Sequence, residues 1–201
     1  MSTITKSVLK ISMASLLALA TIGLAGKAQA AGAYANVELG YTISNVSNPK
    51  GENSAITYSD KGGFNGGIGA GYMFSDNFGI QLSLHDWYYT SSAKVLGTST
   101  DIKFNTYGLI PKLRLTAPVS DSLKINGLIG AGYTTTSMTV GNDNSSTTNS
   151  SYAWTAGANL EFKATDSFGI TAGADYSSLY NKSDDLGLGT VNLNVGANFY
   201  F

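Results

Sequence analysis

The chain ends Val191-Asn192-Leu193-Asn194-Val195-Gly196-Ala197-Asn198-Phe199-Tyr200-Phe201. Every odd position here is apolar, while the even positions carry Asn, Asn, Gly, Asn and Tyr. Period two is the repeat of an extended strand, whose successive side chains point to opposite faces. The stretch therefore reads as a β-strand with one apolar and one polar face, running to the last residue.

Working back along the chain, the same pattern recurs. Ala35, Val37, Leu39, Tyr41 and Ile43 oppose Asn36, Glu38, Gly40 and Thr42. Ile68, Ala70 and Tyr72 oppose Gly67, Gly69, Gly71 and Met73, and Ile80, Leu82 and Leu84 oppose Gln81, Ser83 and His85. Leu109, Leu113 and Leu115 oppose Lys112 and Arg114, Ile125 and Ile129 oppose Lys124 and Asn126, Leu160 and Phe162 oppose Glu161 and Lys163, and Ala172 and Ala174 oppose Gly173 and Asp175. About eight such segments fit, each long enough for a tilted strand to cross a bilayer. The apolar positions of these segments carry no charge, and a charge facing lipid at the bilayer midplane costs about 2–4 kcal/mol, so this parity points outward. A soluble sandwich or lipocalin-like barrel would reverse the faces. A polar parity crowded with Gly and Asn does not fill a soluble core.

Composition agrees. Hydrophobic residues make up 43% and charged residues 12%, with mean hydropathy near zero, so the apolar content is dispersed by alternation. Cys is absent and His85 is the single histidine, which removes disulfides, thiolate sites and histidine-rich metal sites; no cofactor is expected. The N-terminus has Lys6 and Lys10, an apolar run from Ile11 to Gly26, and the A-x-A box Ala28-Gln29-Ala30. This is the pattern of a secretory signal peptide over residues 1–30, cleaved after Ala30. The three lysines of that segment leave with it, the remainder is net acidic, and nucleic acid is not an expected partner.

Residues 31–201 are thus expected to form one all-β domain, an eight-stranded antiparallel transmembrane β-barrel of up-and-down topology. Compact turns fall at Ser75-Asp76-Asn77, Pro118 to Ser122 and Thr165-Asp166-Ser167. Longer loops, rich in Ser, Thr, Asn and Gly, are expected over 45–63, 89–103, 135–151 and 179–189. Pro111 lies inside a strand without an N–H to give, so a bulge or a local exchange of faces is expected there.

The final octet, with Asn194, Gly196, Phe199 and Phe201, resembles the C-terminal signal that the outer-membrane barrel assembly machinery reads. The mature chain resembles the small barrels of the outer membrane protein A transmembrane-domain and opacity-type class. The local likeness is strongest in Lys112-Leu113-Arg114-Leu115-Thr116-Ala117-Pro118-Val119-Ser120-Asp121-Ser122-Leu123, and in Asn159-Leu160-Glu161-Phe162 ahead of Thr165-Asp166-Ser167. That resemblance implies a Gram-negative outer-membrane location, contact with outer-membrane lipid and lipopolysaccharide, and passage through periplasmic chaperones and the barrel assembly machinery. No peptidoglycan-binding domain is expected after Phe201, so cell-wall tethering is not among the properties the resemblance is expected to carry over.

Parity points Glu38, Glu161, Asp175, Lys112, Arg114, Lys124 and Lys163 inward, and near-balanced charge there reads as a buried ion-pair network. The bland outcome is a structural barrel whose interior its own side chains fill. A sharper one is weak small-solute permeability through a gate in which Arg114 moves between Glu38 and Glu161, a switch the resemblance implies. Two alternatives belong to other classes. An adhesin or a host- or phage-binding barrel would use the loops to reach an extracellular ligand. A lipid A-modifying enzyme would need more than His85, Ser83 and Asp86, of which Asp86 has the wrong parity, and no acid pair or nucleophile elbow accompanies them.

Overall fold

The computed structural model describes residues 32–47, 56–95, 98–141, 146–180 and 187–201. The proposed signal peptide, with Ala28 and Ala30, and the tips of the long loops lie outside them. Eight strands follow in order: β1 (Gly32–Ser47), β2 (Ile56–Met73), β3 (Phe78–Val95), β4 (Thr98–Pro118), β5 (Leu123–Val140), β6 (Ser146–Thr165), β7 (Phe168–Tyr180) and β8 (Gly187–Tyr200). Each pairs antiparallel with the next, and β8 returns to β1 from Tyr34↔Tyr200 to Ser47↔Gly187, closing the barrel. Closure satisfies the backbone groups that an open edge would leave bare in lipid.

The faces follow the alternation. Leu39, Phe64, Leu82, Leu109, Leu113, Ile129, Tyr152, Leu160, Leu193 and Val195 are exposed on the outer wall. Their polar-parity neighbours Thr42, Asn65, Ser83, Thr106, Arg114, Asn126, Thr155, Glu161, Asn192 and Asn198 are buried. This is a soluble protein turned inside out, and only a hydrocarbon solvent makes it favourable. Tyr72–Phe74–Phe78 stack in sequence on the outer wall beside the first short turn, and Tyr41–Phe64, Tyr133–Tyr152 and Trp154–Tyr176 meet nearer the loops. Such belts mark the two membrane interfaces. Asp86 stands on the outer parity at the level of the loop-side belt, opposite Tyr107, half-buried and with Oδ1 unbonded.

Two expectations change. Pro111 produces neither bulge nor phase shift: Leu82↔Pro111 continues the β3–β4 register, and on the β5 side Leu109↔Tyr133 and Lys112↔Gly130 keep one register across it. The ladder loses only its pairs at Ile110 and Pro111, because the carbonyl of Pro111 and its missing N–H both face β5 while the β3 side is untouched. The bulges lie elsewhere, at Asp60/Gly63 and Lys163/Thr165. The long loops are also largely strand. Residues 89–95 and 98–103 pair directly, and β4 reaches 21 residues, about twice what a bilayer crossing needs. A polar segment still earns strand pairing when it continues a register already fixed by the membrane part.

Candidate functional site

The candidate site is the barrel interior, which is layered along its axis. At the short-turn end, Arg114 on β4 and Glu161 on β6 form an ion pair at 2.6 Å, with side chains 3% and 0% exposed. Glu161 also accepts from Asn126 Nδ2 at 3.0 Å, Asn198 Nδ2 at 2.9 Å and the Tyr200 hydroxyl at 2.6 Å. Arg114 donates to Asn126 Oδ1 at 3.1 Å and to the Tyr200 oxygen at 2.8 Å, and its guanidinium lies 4.7 Å from the Tyr34 ring centre. The lone pairs and protons of this pair are therefore met by neighbours, the condition under which burying it is tolerable.

Gly169 makes room for it. A Cβ there would come within 2.6 Å of Glu161 Oε1. Gly169→Val is expected to push the carboxylate off its donors and destabilise the barrel by about 1–3 kcal/mol, read as a lower urea midpoint in vesicles. An unchanged midpoint would show that Glu161 has slack.

The middle layer holds Glu38 (β1), Lys112 (β4) and His85 (β3). Glu38 Oε1 lies 3.2 Å from His85 Nδ1 and 3.7 Å from Lys112 Nζ. A relay runs from here to Asp175. An ionised Asp175 can only accept, so Asn192 Nδ2 must donate to it at 2.8 Å. That turns Asn192 Oδ1 towards Thr42 Oγ1, which donates at 2.9 Å and in turn accepts from Asn65 Nδ2 at 3.1 Å. Asn65 Oδ1 is left to accept from His85 Nε2 at 3.1 Å. One carboxylate thus fixes the orientation of two amides, and His85 presents Nε2 to Asn65 and Nδ1 to Glu38.

The loop-side layer is apolar. Trp87, Tyr89, Phe104, Ile110, Ala153, Leu179 and Leu188 form one buried cluster inside the barrel, with Tyr89 stacked on Phe104 at 5.0 Å between ring centres. Sequence reasoning missed this plug. Its signal is present in the apolar inward positions of β3 and β4, but Tyr89, Leu179 and Leu188 fall within the stretches expected as loops, and Trp87 and Phe104 lie just outside one of them.

The charged set is therefore divided. Arg114–Glu161 and Glu38–Lys112 are separate pairs, and Arg114 has no contact with Glu38. Asp175 is held by Asn192, Asn194, Thr155 and Ser177. Lys163 leaves the interior for Asp166 in the adjacent turn, at 2.7 Å, and its proximity holds that carboxyl below the usual range. Lys124 is the Cα partner of Glu161, yet its ammonium stands over the Tyr200 ring at 5.8 Å. The groups that hydrolysis would need are dispersed: His85 stacks on Trp87, Ser83 accepts from Gln81, and Asp86 is on the opposite face. At the C-terminus, Asn198 is bonded inside, Phe199 packs on Phe168 outside, and the Phe201 N–H donates to the Ala33 carbonyl. Gly196 sits where a Cβ would meet Thr171 Oγ1 at 2.9 Å, and Asn194 donates to Asp175.

Comparison with known proteins gives a consistent picture. The sequence profile described as "Outer membrane protein beta-barrel domain" matches residues 14–199. No curated protein matches significantly. Among solved structures, the outer membrane protein OprG from Pseudomonas aeruginosa superposes with TM-score 0.61 at 15% identity, over 85% of this chain and 96% of that one. Neisserial surface protein A gives 0.58 at 17% identity, over 86% and 100%. Ail, the attachment invasion locus protein of Yersinia pestis, in complex with the heparin analogue sucrose octasulfate, gives 0.50 at 24% identity, over 84% and 99%. At these identities the likeness is one of fold.

Proposed function

Because this chain belongs to the outer membrane protein beta-barrel domain family, we propose that it serves as a structural outer-membrane barrel that is closed to ions and polar solutes. The observation that carries this reading is the apolar plug of Trp87, Tyr89, Phe104 and Ile110 across the loop-side lumen, each at most 4% exposed. Water is expelled from such a constriction, and an ion would have to shed its hydration to enter. Beneath it, the Arg114–Glu161 pair closes the other end with its hydrogen bonds already made. The test is planar-bilayer conductance. The native barrel should stay at baseline, whereas Tyr89→Ala combined with Phe104→Ala should introduce discrete steps. Steady steps from the unaltered barrel would sink the proposal.

The export route belongs to the same reading. Lys6, Lys10, the apolar run and the Ala28–Ala30 box support cleavage after Ala30, and the Asn194–Phe201 octet supports delivery by periplasmic chaperones to the barrel assembly machinery. The outer-membrane form should begin at Ala31 by intact mass. Recovery of the full-length mass there would reject cleavage.

A further inference from the structure

At the short-turn end the lumen opens into a cavity of about 240 Å³, room for about eight waters. The cavity is blind, because Arg114 closes its inner end, 3% exposed and already paired with Glu161. Three adjacent strands each send a base into it: Arg114 from β4, Lys124 from β5 and Lys163 from β6. The register sets the two lysines side by side. Lys124 is the Cα partner of Glu161, and Lys163 is two residues further along the same inward face, so the lysines are diagonal neighbours across the ladder. Like charges so placed repel unless an anion stands between them.

The acids of the barrel do not fill that place. Glu161 is taken by Arg114, and among the described residues no carboxylate forms an ion pair with Lys124, whose ammonium lies over the Tyr200 ring. Lys163 meets Asp166, but that carboxylate is 88% exposed on the turn, and an ammonium has three protons to share. Asp76 reaches the rim from the β2–β3 turn, on the far side of the mouth, and pairs with neither lysine. Among the described residues, the inward side chains at this end thus set three bases against the single acid Glu161. Two positive charges are left without an inward partner.

We infer that this mouth binds a phosphate monoester, with the phosphate between Lys124 and Lys163 and the rest of the molecule directed towards Asp76. At neutral pH such a phosphate carries about −1.5 to −2 charges, which matches the excess, whereas a single carboxylate meets half of it. Its three oxygens accept charge-assisted hydrogen bonds from both ammoniums at once. Asp76 disfavours a second anion at the far side and suits a hydroxyl or amine there. Access from the periplasm rests on the outer-membrane placement above; binding itself does not. A free solute and a lipid headgroup of this chemistry are both possible sources.

The experiment is an amide NMR titration of the folded mature barrel in octyl glucoside, an uncharged detergent, at constant ionic strength. The probes are glycerol 3-phosphate, dihexanoyl phosphatidic acid, and glycerol or sodium chloride as controls. Glycerol 3-phosphate should produce saturable shifts at Thr116, Lys124 and Lys163, with none at Lys94 or Lys103 at the opposite end. Lys124→Gln should weaken binding by about tenfold, Lys124→Arg should largely keep it, and Asp166→Asn should tighten it by removing a competing carboxylate. Folding of each variant is verified by heat-modifiable gel mobility, and Lys163→Gln takes the place of Lys124→Gln if the latter does not fold. Saturation at lower concentration by the lipid probe identifies a headgroup as the source, and the reverse order a free solute; both support the site. Shifts that do not saturate, equal shifts with sodium chloride or glycerol, or a folded lysine variant that titrates like the native barrel would overturn the inference.

Discussion

Replacing Arg114 by Ala should lower the unfolding free energy of the barrel by about 3–5 kcal/mol, the cost of leaving one buried charge without its partner. The reason lies in what remains. Glu161 is fully buried, and after the substitution it still accepts from Asn126, Asn198 and Tyr200. Those neutral donors share the negative charge without cancelling it, and among the described residues no other cation is placed to replace the guanidinium. Lys163 is committed to Asp166, and Lys124 points over the Tyr200 ring. The stacking of Arg114 against Tyr34 is lost as well. Glu161→Gln should cost a similar amount from the other side. Arg114→Met together with Glu161→Leu should recover most of the loss, because two apolar groups need no compensation. Urea unfolding in vesicles, followed by fluorescence, would measure all four species, with Trp87 inside the lumen and Trp154 on the lipid face. A loss under about 1 kcal/mol for Arg114→Ala would mean that water reaches the pair, and that it is a surface-like contact.

The second large effect concerns the opposite face. Leu113→Arg places a cation on the outer wall near mid-bilayer, one residue from the inward Arg114, and should cost about 2–4 kcal/mol. The same change at Ala117, near the short-turn end of the same strand and on the same face, should cost at most about 1 kcal/mol, because the side chain can snorkel to the headgroups. Depth dependence is what separates a lipid-facing wall from any soluble surface. Equal, small effects at the two sites would remove the membrane assignment of this face while leaving the barrel itself intact.

Much of this architecture could be read before any coordinates, for a local reason. Which side of a strand a residue occupies depends only on its parity, so Glu38, Lys112, Arg114, Glu161 and Asp175 could be sent inward from alternation alone. Turn chemistry is equally local: Ser120 Oγ accepts from the Leu123 N–H and Thr165 Oγ1 from the Ser167 N–H, within segments already legible as turns. Where the reading failed, composition misled it. The Ser- and Thr-rich tops of β3 to β6 read as loops, but cross-strand register carries pairing beyond the bilayer and gives those polar residues regular partners, as between Thr135 and Ser150. Pro111 was expected to break the register. It does not, since the fault is confined to one of its two neighbours.

The sequence by itself determined the export signal pattern, the number and hand-off of the strands, and which face of each meets lipid, because hydrophobic periodicity encodes all of these one strand at a time. Only the tertiary structure decided who meets whom inside. Lys124 is opposite Glu161 in the ladder, yet Arg114, two strands away, takes the carboxylate. Closing and shearing the sheet sets the heights at which side chains reach across the lumen, and that geometry belongs to the whole barrel. The same closure gathers Trp87, Phe104, Leu179 and Leu188 from four strands into a plug. No single strand carries enough of the pattern to announce it.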